Sequence, residues 1–267
     1  MQTALYVLIA GATLFLGVFY SKTNAAISGF GFALGGAFLS VLASKEIFYG
    51  RGLTVPLLLA RTVFAFSKVR VSISYLFRIT VDGRFLLIRG SRIKSQFQPV
   101  GGVYKIRFDE TELLRRFHAR PDTRFSPDHI SKGDLRLRLD GRHLPALISW
   151  FEKATDREIL PTREFYEELI EPGFLPPSTF PHFDCSYRSR RTFGVEYDRH
   201  SECRQIIIAD VYDLLPTEAQ FGALRDLMKR VERGEVKDVY FASSDEMIRG
   251  AADGSFEIAR TCTWITE

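Results

Sequence analysis

The first 44 residues of this 267-residue chain carry one charged side chain, Lys22, and the remaining 223 carry every other charge. Met1–Ser21 is uncharged, and so is Thr23–Ser44. Each run holds about 20 residues, enough at about 1.5 Å rise per residue to cross the roughly 30 Å hydrocarbon core of a bilayer as a helix. The apolar cores run over residues 4–20 and 25–43, and a polar break, Ser21-Lys22-Thr23-Asn24, separates them. The pattern predicts an N-terminal two-helix transmembrane hairpin. Gly31 and Gly35 form a GxxxG in the second run, and Gly29, Ala33, Gly36 and Ala37 widen the small-residue face. Such a face lets helix backbones approach closely in lipid, either within the hairpin or between protomers. A cleaved signal peptide needs a basic n-region. Met1-Gln2-Thr3 has none, and a second apolar run follows at once.

Lys22 is the only charge in the turn, whereas Lys45, Arg51, Arg61, Lys68 and Arg70 follow the second run. Lysine and arginine mark the cytoplasmic side, so both termini are expected in the cytoplasm. Residues 45–68 read as a juxtamembrane linker. Its apolar stretch Leu57–Phe66 is interrupted by Arg61 and is too short to span, which suits an interfacial or domain-packing helix with Pro56 in its first turn.

From Val69 the texture changes to that of a water-soluble domain, expected over residues 69–267. Val69–Thr80 alternates, Asp82-Gly83 turns, and Phe85–Gly90 returns, a strong hairpin signal. Helices are predicted over Asp109–Arg120, Leu144–Ala154, Pro161–Leu169 (with Thr162 as N-cap) and Pro216–Arg233, the last ending at Gly234. Strands are predicted at Leu135–Leu139, Gln205–Tyr212, Asp238–Ala242 and Thr261–Ile265. The mixture makes the domain α/β or α+β. Cysteines 185, 203 and 262 are odd in number, widely spaced and without a CxxC, which favours free thiols over a zinc site or a disulfide framework. The formal net charge of +4 is too mild to argue for binding of a DNA or RNA duplex.

The most chemically loaded string is Arg163-Glu164-Phe165-Tyr166-Glu167-Glu168. On a helix Glu164, Glu167 and Glu168 fall at i, i+3 and i+4, so three carboxylates share one face. Their repulsion calls for an offsetting cation, and magnesium, which favours carboxylate oxygens and bridges to phosphates, is the natural candidate. Arg163 is placed to pair with one carboxylate and orient it. An exposed, solvated helix face is the alternative.

This string is similar to the REUxEE core of the Nudix box. The Gly83–Gly90 hairpin and the segment Phe97-Gln98-Pro99-Val100-Gly101-Gly102 resemble the start of a Nudix fold. The box itself is interrupted: counting back from Arg163 puts Ser149 and Thr155 at its leading Gly and Glu positions, and Ile170 stands where Gly is expected, with Gly173 displaced. An insertion of about residues 103–160 accounts for the break. Two apolar N-terminal runs joined to such a domain resemble the SMODS-associated NUDIX proteins, effectors of bacterial cyclic-oligonucleotide antiphage systems (CBASS).

The resemblance implies a Nudix-like domain that binds a cyclic nucleotide made by a partner nucleotidyltransferase (a CD-NTase). It further implies a homo-oligomer at the bacterial inner membrane whose hairpin disrupts the bilayer, an abortive-infection outcome. Phosphates and bases call for Arg or Lys with aromatics. Arg89, Arg92, Lys94, Phe97, Gly101 and Gly102 are the candidate ligand-binding residues, with Arg188, Arg190 and Arg191 a second basic cluster beside Tyr187 and Phe193. Glu164, Glu167 and Glu168 are the candidate metal ligands and, with Arg163 orienting them, the candidate catalytic residues. Two other functions stay open: a membrane-anchored, magnesium-dependent hydrolase of a nucleoside diphosphate derivative, and a non-catalytic scaffold.

Overall fold

A computed structural model describes Val18 and residues 54–90, 96–107, 109–122, 133–198, 202–252 and 256–266. The expected hairpin helices, and with them the small-residue face, lie outside the described residues. Among the described residues no helix is long and apolar enough to cross a membrane.

In chain order the elements are α1 (Thr54–Arg61), β1 (Lys68–Arg78), β2 (Thr80–Val81), β3 (Arg84–Arg89), β4 (Gln96–Pro99), β5 (Gly101–Val103), α2 (Glu110–Arg116), β6 (Arg120–Pro121) and β7 (Arg136–Asp140). There follow α3 (Leu144–Glu152), α4 (Thr162–Phe165), β8 (Asp184–Asp198), β9 (Cys203–Leu215), α5 (Glu218–Glu232), β10 (Val239–Ala242), α6 (Ser244–Arg249) and β11 (Glu257–Ile258). One sheet has the order β6-β7-β1-β9-β8, with β5 also on β1; the other has β10-β3-β4-β11, with β2 on β3. The domain is therefore α/β in content, as the mixed pattern predicts.

The chain divides into two compact units. The first combines residues up to Ser72 with Phe108–Thr155 and Thr192–Ile207. In it the start of β1 pairs antiparallel with β7, Lys68 facing Asp140 and Ser72 facing Arg136. Leu135, Leu137 and Leu139, alternating along that strand, are fully buried. Helix α2 is shorter than the predicted Asp109–Arg120, because Asp109 caps it, accepting from Thr111 N and Glu112 N, and His118 takes a positive φ of 48° just beyond its end.

The second unit combines Ile73–Arg107, Asp156–Arg191 and Ile208–Glu267. Its hairpin is β2–β3, closed by Asp82 and Gly83 at φ 47° and 80°. Two successive positive φ values make the primed turn that matches strand twist. The long run Val69–Thr80 does not join this hairpin as one strand: β1 ends at Arg78 and belongs to the other sheet. One apolar cluster gathers Leu76, Phe85, Leu87, Phe97, Val211, Met247 and Ile265. Helix α5 begins with a reciprocal capping box between Thr217 and Gln220, and Gly234 at φ 76° lies just past its end. The predicted strand at Thr261–Ile265 is instead a 3₁₀ helix over Arg260–Ile265, which buries Cys262 and Ile265. A short apolar run leaves helix and strand ambiguous by pattern alone.

The chain closes on itself within the expected insertion. Residues 108–155 leave the second unit. Ile106 bridges Arg157, Arg107 N donates to Asp156 O at 3.0 Å, and Glu158 N donates to Lys105 O at 2.7 Å. This short antiparallel ladder returns the chain to the point it left, so the inserted residues do not part the segments on either side of them.

Candidate functional site

The ladder at the base of the insertion brings Gly101-Gly102 onto the glutamate face of Arg163–Glu168. Gly101 N donates to Glu168 Oε2 at 2.9 Å. A Cβ on Gly102 would fall within 2.5 Å of Glu164 Cγ, Cδ and Oε1, so only a glycine lets strand β5 approach this carboxylate so closely.

Helix α4 carries Arg163 and Glu164, and the chain continues as a π-helical turn over Tyr166–Ile170 rather than as the predicted α-helix. Thr162 is not its N-cap: Pro161 takes that position with no side-chain hydrogen bond. The wider turn lets Phe165, Leu169 and Ile170 all bury, residues four and five apart sharing the inner face. Phe165 packs on Phe77, Phe180 and Phe183, with ring centroids 4.1–5.8 Å from it or from one another. Single π turns inside helices recur at functional sites. Gly173, at φ 79°, supplies after this longer turn the positive φ that Ile170 cannot.

Arg163 is the hub. Its Nη1 lies 2.7 Å from Glu164 Oε1 and 3.0 Å from Glu167 Oε2, its Nη2 donates to Val103 O at 3.0 Å, and its Nε donates to Glu158 Oε1 at 3.3 Å. Sequence reasoning assigned Arg163 one carboxylate; the structure gives it three. Glu158 was missed. It stands three residues after Thr155, its side chain is 6% exposed, and its other oxygen accepts from Lys105 N at 3.2 Å. The interrupted box thus regains an acidic partner for Arg163 from a displaced position. A carboxylate five residues ahead of the arginine was the only signal in the sequence.

The electrostatics follow from crowding. Burial, reinforced by Glu167 and Glu158 and opposed by Arg163, raises the Glu164 carboxyl above its ordinary range. Burial holds the Glu168 carboxyl well above that range, with the Gly101 amide pulling the other way and Glu164 and Glu167 adding to the rise. Glu167 is the outermost, its side chain 36% exposed against 16% for Glu164. Among the described residues no three His, Cys, Asp or Glu side chains converge as a set able to hold a metal ion; here Arg163 stands between two of the three glutamates. The carboxylate oxygens of this face are of the hard donor type that a divalent cation takes, and in this arrangement Arg163 occupies those of Glu164 and Glu167.

The predicted ligand-binding residues do not form one group. Gly101 and Gly102 meet the glutamates. Arg89 donates to Asp238 Oδ1 at 2.7 Å and to Lys237 O at 2.9 Å, with its guanidinium 5.0 Å from the Phe97 ring. Arg92 and Lys94 lie outside the described residues. The basic cluster at 188–191 belongs to strand β8, where Arg188 holds Asp213 and Arg190 holds Asp210 across to β9. Asp210 also accepts from the Tyr104 hydroxyl at 3.0 Å, and Arg157 lies 4.9 Å from the Tyr104 ring. Burial, Asp210 and Tyr212 all raise the Tyr104 hydroxyl pKa, and Tyr104 in turn packs 4.9 Å from Tyr75, whose hydroxyl accepts from Glu164 N at 3.4 Å. A buried polar and aromatic chain therefore backs the glutamate helix.

A profile of the SMODS-associated NUDIX domain matches residues 68–266. The chain belongs to this family. Within the SMODS-associated NUDIX domain of this chain, the Gly101–Glu168 contact and the Arg163 hub join residues on either side of 108–155. No curated protein matches the chain.

Proposed function

We propose that this chain is a membrane-anchored sensor and effector: its Nudix-like domain binds a cyclic oligonucleotide, and binding drives oligomerisation and disruption of the bacterial inner membrane. The carrying observation is the union, in one chain, of a SMODS-associated NUDIX domain over residues 68–266 with a 44-residue N-terminal stretch holding a single charge. The nucleotide is supplied by a separate nucleotidyltransferase, so that enzyme is a functional and not a physical partner. Both termini are cytoplasmic, which puts the domain on the side where the nucleotide is made.

The test is calorimetric titration of the full chain in detergent with cyclic di-AMP, cyclic di-GMP and cyclic tri-AMP, followed by dye release from vesicles carrying the protein. Saturable binding without product, with dye release at the same nucleotide concentration, is expected. Binding that changes neither oligomer size nor vesicle permeability overturns the effector mechanism.

A second reading, a magnesium-dependent hydrolase of a nucleoside diphosphate derivative, is favoured by the raised Glu164 and Glu168 carboxyls on the Gly102 side of the helix. Glu164, Glu167 and Glu168 would hold the cation, which when bound neutralises phosphate charge and activates water. Glu158 and Val103 O keep Arg163 in place. Chromatography of the same titrations decides: turnover that Glu167→Gln abolishes makes the chain an anchored hydrolase.

A further inference from the structure

Beside β10, an outer strand of the second sheet, lies a cavity of about 510 Å³, within the range of small-molecule sites. Arg84, Arg89 and Lys237 line it together with Phe97 and Phe256, and Met228 and Val231 of α5 make an apolar wall. A second cavity, also about 510 Å³, shares Arg84 and Tyr240 with the first and carries Asp245 and Glu246 as well as Arg249. All of these residues belong to the second compact unit.

The wall is rigid where it matters. Arg89 is pinned by Asp238 and the Lys237 carbonyl, and its guanidinium lies 5.0 Å from the Phe97 ring and 5.3 Å from the Phe256 ring. Phe97 is buried, whereas Phe256 is 37% exposed. The two rings meet edge to face, 5.5 Å apart at 88°, with the guanidinium near both, and the half-exposed Phe256 ring leaves an aromatic surface that a nucleobase can stack on. Arg84 and Lys237 are exposed, and Arg84 spends one donor on Phe241 O at 3.4 Å, one of the five N–H donors of a guanidinium. Two exposed cations suit phosphodiester oxygens. Apolar walls make the site a poor one for a bare inorganic anion, and the cationic rim a poor one for a plain apolar ligand. Two cavities that share Arg84 match a ligand with more than one base and a phosphate between them.

We propose that this pair of cavities is the nucleotide site: one base against Phe256 and the Arg89 stack, a second past Tyr240, and phosphates at Arg84 and Lys237. The glutamate cluster is then a separate centre. This rests on the sensing reading above and gives it a location.

The test uses the full chain in detergent. The double variant Arg84→Glu/Lys237→Glu is expected to lose at least tenfold in affinity for whichever of cyclic di-AMP, cyclic di-GMP or cyclic tri-AMP the parent binds. Arg115→Glu, a charge reversal at an exposed arginine of the first unit, is expected to bind as the parent does. In the otherwise unaltered chain, which already carries Trp150 and Trp264, the emission that Phe256→Trp adds over the parent should change saturably at the midpoint found by calorimetry. Parent-like affinity in the double variant, or a silent tryptophan while the nucleotide binds, overturns this site and leaves the sensing reading standing. Failure of the parent to bind any of the three overturns both.

Discussion

The backbone N–H of Gly101 donates to Oε2 of Glu168 at 2.9 Å across 67 positions of sequence. This contact joins the last strand before the insertion to the helix after it. It exists because the ladder of Lys105–Arg107 against Asp156–Glu158 closes the insertion at its base.

Gly101 and Gly102 should respond differently to alanine. Gly101 has φ 148°, and a Cβ there would lie 2.2 Å from the Tyr75 carbonyl oxygen, a backbone atom that cannot swing away. Gly101→Ala is expected to cost about 2–4 kcal/mol. For a domain of this size that lowers Tm by roughly 5–12 °C. At Gly102 the obstacle is the Glu164 side chain, which can move. Gly102→Ala should lower Tm less but displace Glu164 and weaken any cation effect. Calorimetric melts of both variants with and without magnesium check this, and equal losses of Tm would contradict it.

Glu168 should make stability fall as pH rises. Its folded pKa lies well above the ordinary value because its carboxyl is buried, the Gly101 amide notwithstanding. The folded state therefore holds a proton that the unfolded chain releases near pH 4.3. Its contribution is fully present below that pH and is lost as pH rises through the folded value. Glu168→Gln keeps the acceptor and removes the titration, so the variant should gain on the parent as pH goes from 5 to 8. A gap in Tm that is flat or shrinks over that range would rule this out.

Glu158 should matter more than its place outside the Arg163–Glu168 string suggests. Glu158→Ala leaves Lys105 N and Arg163 Nε without their carboxylate, at a cost of about 2–4 kcal/mol. Glu158→Gln retains a backbone acceptor and should recover part of that loss. Denaturant melts of the two variants separate the hydrogen bond from the charge; midpoints equal to the parent's in both would show that neither contact counts.

In the first unit, the Asp122 side chain is fully buried between Arg70 and Arg138. Burial alone would raise its pKa, but the two guanidiniums hold it below the ordinary carboxylate range. Its contribution is present above the unfolded value of about 3.9 and is lost as pH falls through the folded one, the reverse of Glu168. Asp122→Asn should cost about 3–5 kcal/mol at neutral pH, and hydrogen exchange should place the loss on β1 and β7. A midpoint shift under about 1 kcal/mol would mean that water already compensates the arginines.

Much of the fold was legible because its signals are local. The Asp82-Gly83 turn, the end of α5 before Gly234, and the alternation of Leu135, Leu137 and Leu139 are each set within a few residues. The string Arg163–Glu168 announced an acidic helix face by the same short-range logic. What failed was long-range or ambiguous. Thr261–Ile265 has the apolar character of a strand, but among the described residues no strand pairs with it, and burial of Cys262 and Ile265 is met by a 3₁₀ turn.

Residue order alone determined that one face of a helix carries three glutamates, that two glycines follow Phe97-Gln98-Pro99-Val100, and that the N-terminus is almost uncharged. Helical periodicity and apolar run length need no partner to be read. Only the tertiary structure decided that Gly101 reaches Glu168, that Arg163 reaches Val103 O and that Arg89 is committed to Asp238. Each of those contacts joins residues whose proximity depends on how the chain returns from its insertion or on which strands pair, and hydrogen-bond distance is a property of that return, not of sequence spacing.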